Sequence, residues 1–128
     1  MDIKIIENKK EWEDFVLTHS EANFLQSWYW GEFHKALGKK IHRIGFFKGN
    51  SLIGIMLGVV EDAKRGRYLT VPAGPIINWD DKKSVDVFFE ITKRIAKEDK
   101  CVFVRVRPQL ISDDFSRKLF KRFGFINS

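Results

Sequence analysis

The stretch from Tyr68 to Asp81, YLTVPAGPIINWDD, restricts the fold more than any other part of this chain. Tyr68, Leu69, Thr70 and Val71 are strand formers. Pro72 then withdraws a backbone donor, and Gly74-Pro75 imposes an irregular backbone before Ile76 and Ile77 resume an apolar run. A strand of that sequence must bulge or splay inside its sheet, and the backbone groups freed at the break need water, a side chain or a ligand. A binding groove is therefore expected beside Val71 to Ile77, with Trp79-Asp80-Asp81 closing one end and capping the next helix. An ordinary edge-strand bulge is the plainer alternative.

The elements around this break are readable in order. Asp2 to Glu7 alternates as a short strand with Ile3 and Ile5 on one face, and Asn8 caps a helix from Lys9 to His19 whose Trp12, Phe15 and Val16 recur at helical spacing. Ser27 caps a second helix that Gly38 ends. On it Tyr29 and Phe33 share one face, and Trp30 and His34 another; a single face fills the core, so at least one ring looks elsewhere. Ile41 to Lys48 and Ser51 to Glu61 read as strands joined by Gly49-Asn50, a hairpin turn. The second strand is apolar almost throughout, which suits cover on both faces, with Gly54 and Gly58 admitting close neighbours.

After the break, Val85, Phe88, Phe89, Thr92, Ile95 and Ala96 mark the clearest helix, over residues 81–99. Cys101 to Arg107 reads as a strand that Pro108 ends. Arg105 and Arg107 share one of its faces, where they bind phosphate if that face borders the groove and are solvated charges if it does not. A last helix, 113–123, capped by Ser112 and carrying Lys118, Lys121 and Arg122, leads to a strand beginning at Phe125-Ile126.

Composition narrows the possible roles. The chain has 128 residues, enough for one domain with its own core. Its net charge of +6 favours anionic partners: a nucleotide, a pyrophosphate, nucleic acid or an acidic membrane. Cys101 has no second cysteine to pair with, and its apolar surroundings predict a buried, inert thiol in a reducing compartment. His19, His34 and His42 lie too far apart in sequence to form a recognisable metal motif, and no nucleophile elbow, P-loop or dinucleotide fingerprint is present. Without a secretory signal or an apolar run near the roughly twenty residues a bilayer requires, a cytoplasmic location is expected.

The order strand, two helices, three antiparallel strands, helix, strand, helix, strand describes an α/β (α+β) acetyltransferase-like fold, a mixed, mostly antiparallel sheet with helices on both faces. FLQSWYWGEFHKALGKKIHRIGFF, then YLTVPAGPIINWDD and CVFVRVRP, resemble the N-terminal half of the Fem-type peptidoglycan bridge aminoacyltransferases. The resemblance covers nearly the whole chain, as one unit over 1–128. It implies the first of two tandem acetyltransferase-like halves, in a protein that moves an amino acid from aminoacyl-tRNA to the stem peptide of a muramyl-peptide precursor. It implies no cofactor beyond aminoacyl-tRNA as co-substrate. The tRNA end would be held by a second half, and this half would be inactive alone. Self-association and peripheral contact with the inner membrane face stay open.

In that family a lysine on the aromatic helix contacts phosphate. Here the position four after Trp30 is His34, with Lys35 following, so the resemblance assigns the contact to one of these two. Trp30, His34, Lys35, Tyr68, Pro72, Gly74 and Arg105 are the substrate-binding candidates; no catalytic residue is assigned, and no metal ligand is expected. Two other readings compete. An acyl-coenzyme A N-acyltransferase of the same fold would cradle pyrophosphate on a Gly-rich turn, where this chain instead has prolines and aspartates. A nucleic-acid-binding or interaction module would use the basic last helix.

Overall fold

The computed structural model describes residues 1–19 and 24–107 and the backbone of residues 126–127. Strand β1 (Asp2–Ile5) is followed by α1 (Lys9–His19), a short 3-10 turn (Phe24–Gln26), α2 (Trp28–Ala36), β2 (Ile41–Lys48), β3 (Ser51–Ala63), β4 (Gly66–Val71), α3 (Lys82–Glu98), β5 (Phe103–Val106) and β6 (Ile126–Asn127). The strands form one sheet in sequence order, β1-β2-β3-β4-β5-β6. Pairing is antiparallel through β4 and parallel from β4 to β5 and β5 to β6. The parallel β4–β5 pair requires a crossover, which α3 supplies. The expected helix over 113–123 lies outside the described residues, and the expected last strand is present as β6.

Two apolar clusters cover the two faces of the sheet. One packs Phe88, Phe89 and Ile95 of α3 against Ile44, Phe46, Met56, Leu69, Val71, Val104 and Val106. The other packs Trp12, Phe15 and Val16 of α1 against Ile6, Ile55, Leu57 and Val59. Residues 52–60 of β3 are apolar because alternate residues serve different helices, Met56 and Val60 facing α3, Ile55, Leu57 and Val59 facing α1. Each fully buried Phe or Leu contributes about 1.5–3 kcal/mol of transfer free energy.

Local signals explain the helix boundaries. The Asn8 side chain accepts from Glu11 N at 2.9 Å, and the Ser27 hydroxyl accepts from Trp30 N at 3.1 Å, each satisfying a first-turn donor. Gly38 adopts φ +82° just past α2, where a side chain would be strained. Lys48 pairs with Ser51 across the Gly49-Asn50 turn.

Three expectations need correction. Ile5 is 74 % exposed and Ile6 is the buried residue, because Ile6 still pairs with Arg43 of β2 and faces the other side of the sheet, where α1 covers it. Cys101 is half-buried and lies ahead of β5 instead of in a strand; burial still raises its thiol pKa, which keeps it protonated. Trp79 does not close a groove beside the break. Its ring packs edge-on against Phe88 at 6.0 Å, on the α3 face, while Asp81 sits at the N-cap of α3 and accepts from Ser84 Oγ at 2.6 Å.

Candidate functional site

The strand break is real, and its interior is occupied. β4 pairs with β3 from Ala63↔Gly66 to Val59↔Thr70, then leaves it at Pro72. Ala73 takes φ +49°, and the chain rejoins β3 only at Ile76, which exchanges two 3.0 Å backbone hydrogen bonds with Ile55. Leu57, opposite the detour, has no backbone partner on that side. The Gln26 amide fills the space: Leu57 N donates to Gln26 Oε1 at 2.8 Å, and Gln26 Nε2 donates to Leu57 O at 3.2 Å and Pro72 O at 2.8 Å. The open hollow lies alongside instead, between the sheet and α2.

That hollow has a volume of about 250 Å³. Its floor follows from the two-residue period of the strands. The register Val59↔Thr70, Glu61↔Tyr68 and Thr70↔Arg105 puts Val59, Glu61, Tyr68, Thr70 and Arg105 on the face opposite α3, and Arg107 continues that row. Trp30 and His34, one turn apart on α2, form the roof with Leu25, and Pro72 closes the side at the break. Five sequence candidates, Trp30, His34, Tyr68, Pro72 and Arg105, therefore meet at one cavity. Lys35 points about 100° away from His34 around the helix and lines a different hollow, with Trp28, Glu32 and Arg43. Gly74 is buried against Gln26, whose Cδ lies 2.5 Å from where a Cβ would stand.

Charge and hydrogen bonding set the chemistry of the cavity. Burial pushes the His34 pKa down and the nearby Lys39 adds to this, while Glu61 opposes them, so His34 is a neutral imidazole at pH 7. Positive charge must come from the sheet. The Arg105 guanidinium lies 5.0 Å from the Tyr68 ring, which stacks on Phe103 at 4.8 Å, and no carboxylate pairs with Arg105 among the described residues. Glu61, the one acid lining the cavity, is engaged by Lys39 at 2.8 Å. Trp30 Nε1, His34 Nδ1 and Arg105 Nε are all buried without a hydrogen-bond partner. Such atoms are uncommon in folded proteins and each costs about 1–3 kcal/mol.

Two larger hollows hold their charges differently. One of about 600 Å³ is lined by Lys39, Lys40, Arg67 and Lys100 together with Glu61, Asp62, Glu98 and Asp99, so its charges cancel. Lys40 and Asp99 meet there at 2.6 Å and Arg67 and Asp62 at 2.9 Å. The hollow beneath Lys35, about 500 Å³, holds Arg43 stacked 3.5 Å from the Trp28 ring centroid and bonded to Glu32 at 2.9 Å. The small cavity is lined by three residues, Trp30, His34 and Arg105, that each keep a buried ring or guanidinium nitrogen without a hydrogen-bond partner, and a guanidinium beside such groups suits an anion. Among the described residues no cluster of His, Cys, Asp and Glu could hold a metal, and no helix is long and apolar enough to cross a membrane.

Sequence reasoning had passed over Gln26, Leu25 and Thr70, and had left Arg107 between two roles. The signal for Gln26 was a lone amide between apolar Leu25 and the Ser27 cap, at a place where the chain has to enter the core.

Comparison with known proteins agrees with this architecture. The FemAB family model matches residues 8–121. Aminoacyltransferase FemA of Staphylococcus epidermidis is 28% identical over 105 residues, and that of Staphylococcus aureus 24% over 103. These matches take in 79% of this chain and about a quarter of each relative, so the chain spans a minor part of their length. Among solved structures, FemX superposes with a TM-score of 0.82 at 20% identity, over 97% of this chain and 32% of its own. The aminoglycoside 6'-N-acetyltransferase AAC(6')-IG of Acinetobacter haemolyticus superposes with a TM-score of 0.66 at 14% identity, over 98% of this chain and 91% of its own. The fold is thus acetyltransferase-like, and the chain belongs to the FemAB family.

Proposed function

We propose that this chain is the acceptor-binding half of a peptidoglycan-bridge aminoacyltransferase, and that its cavity holds a phosphate oxygen of a muramyl-peptide precursor, nucleotide- or lipid-linked. The observation that carries this reading is that Trp30, His34 and Arg105 line one cavity while Trp30 Nε1, His34 Nδ1 and Arg105 Nε are buried without hydrogen-bond partners. Arg105 supplies charge; the neutral His34 and Trp30 supply direction. In the complete reaction the stem-peptide amine attacks the ester carbonyl of aminoacyl-tRNA. An amide forms, the ester C–O bond breaks, and the ribose oxygen leaves with a proton. The residues described here bind and orient the acceptor. The aminoacyl-tRNA, the only co-substrate required, is held by a second half, and the site works at the cytoplasmic face of the membrane.

Calorimetry with a uridine-diphosphate muramyl peptide tests this. Saturable binding is expected, at least tenfold weaker in Arg105→Ala and several-fold weaker in His34→Ala, with Lys35→Ala within twofold of wild type. The absence of binding heat from the folded wild-type protein would remove the reading.

A second reading, an acyl-coenzyme A N-acyltransferase, draws on the near-complete overlap with AAC(6')-IG. It is weaker because Pro72 and Pro75 withdraw backbone donors at the break and Asp81 places a carboxylate at the start of α3. Thermal stabilisation by acetyl-coenzyme A would favour it.

A further inference from the structure

The amide of Gln26 joins three segments that carry walls of the cavity. Its own backbone follows Leu25, its Nε2 holds the carbonyl of Pro72, and its Oε1 and Nε2 engage Leu57, two residues before Val59 on β3. The orientation of the amide is fixed by its partners. Leu57 N can only donate and the two carbonyls can only accept, so oxygen and nitrogen cannot exchange places. The residue is fully buried, and its main-chain carbonyl accepts from Trp12 Nε1 at 2.7 Å, which anchors its backbone to α1. Gly74 leaves the space the amide needs, since a Cβ there would stand 2.5–2.8 Å from Gln26 Cδ, Oε1 and Nε2.

From this geometry we infer that Gln26 is a positioning residue of the binding site: it holds the break between β3 and β4 at a set width and so fixes Pro72 and Leu25 relative to Trp30 and Arg105. Without it, Leu57 N, Leu57 O and Pro72 O would be left bare. The detour would then have to collapse onto β3 or admit water, and either outcome moves the cavity wall. A residue that merely filled space could be replaced by one of similar volume without effect on ligand affinity. The inference rests on the acceptor-binding reading for its affinity arm alone.

The test uses the full chain and two near-isosteric replacements. Gln26→Leu keeps volume and removes all three side-chain hydrogen bonds. Gln26→Glu keeps the acceptor for Leu57 N but, when ionised, faces two carbonyls without a donor; a protonated carboxyl restores one donor, and burial raises the pH at which it forms. Affinity for a uridine-diphosphate muramyl peptide is expected to fall at least tenfold in Gln26→Leu. In Gln26→Glu it is expected to fall similarly at pH 8 and to recover toward wild type as the pH is lowered to 5.5, taken as the ratio to wild type at each pH. In parallel, the Trp30 indole N–H resonance should shift and Leu57 N–H should lose exchange protection in both variants at pH 8, with the Trp12 indole resonance unchanged. Affinity within twofold of wild type in a folded variant, or Trp30 and Leu57 signals unmoved, would overturn the inference. If wild type binds no probe, the acceptor reading fails and the Trp30 and Leu57 signals alone decide the role of Gln26. If Gln26→Leu does not fold, the pH series of Gln26→Glu decides it.

Discussion

His34 shows how one buried ring can report on the site around it. Its pKa is lowered chiefly by burial, so the unfolded chain takes up a proton near the ordinary 6.5 while the folded chain waits for a lower pH. Its contribution to stability is therefore complete above 6.5 and is lost as the pH falls from there toward the lower folded value. We expect the stability difference between wild type and His34→Gln, measured by urea unfolding, to shrink from pH 7.5 to 5.5; a difference flat across that range would contradict the assignment. Pairing His34 with Trp30 was visible in sequence, because helical spacing fixes which side chains are one turn apart. Whether His34 or Lys35 faced the cavity was not, since adjacent residues diverge by about 100° and only the packed sheet says which direction is inward. Ile5 and Ile6 repeat the point in extended chain, where the cover of α1 on one face decided which isoleucine was buried.

At the scale of elements, the break in the sheet depends on close packing as much as on its prolines. Gly54 of β3 lies under the returning segment, and a Cβ there would stand 2.7 Å from Ile77 Cγ2, 3.3 Å from Ile76 O and 3.3 Å from Phe46 Cδ2. Ile77 could rotate away, but the Ile76 carbonyl is held by its bridge to Ile55 and cannot easily yield. Gly54→Ala should therefore destabilise by about 1–3 kcal/mol, the usual cost of overpacking, with no helix-propensity gain to offset it. A urea midpoint equal to wild type would show that the segment is slack. The helices and the hairpin were legible because their signals are local: α3 repeats its apolar residues within four positions, and Gly49-Asn50 is itself the turn. Gln26 was not, because its partners Leu57 and Pro72 are 31 and 46 residues away, and a lone amide between Leu25 and Ser27 does not say which distant backbone it meets.

The whole molecule is tied together at the far end of the sheet by Asp99. Lying just past α3, it receives Lys40 Nζ and meets His42 Nε2, each at 2.6 Å, and its carbonyl accepts from Arg67 at 3.2 Å, joining α3 to β2 and β4. Burial works against its charge, yet the hydrogen bonds from Lys40 and His42 prevail and hold the carboxyl below the usual 3.8. A depressed folded pKa gives stability that is fully present above 3.8 and disappears as the pH drops through the folded value. The destabilisation caused by Asp99→Asn should hence be constant above about pH 4 and diminish below it; a gap that persists unchanged under acid would exclude this role.

The sheet is also asymmetric in how it can form. From β1 to β4 neighbouring strands pair antiparallel, three of them joined by short turns, whereas β5 reaches β4 only after the 17-residue α3 has crossed over. Contacts that wait on a crossover carry the greater loop-closure cost. Arg105 sits on that late-joining strand while His34 and Trp30 sit with the early part, so the binding site proposed above spans the crossover pairing. A molecule opened at that pairing alone would keep β1 to β4 together and lose the cavity proposed to bind the acceptor.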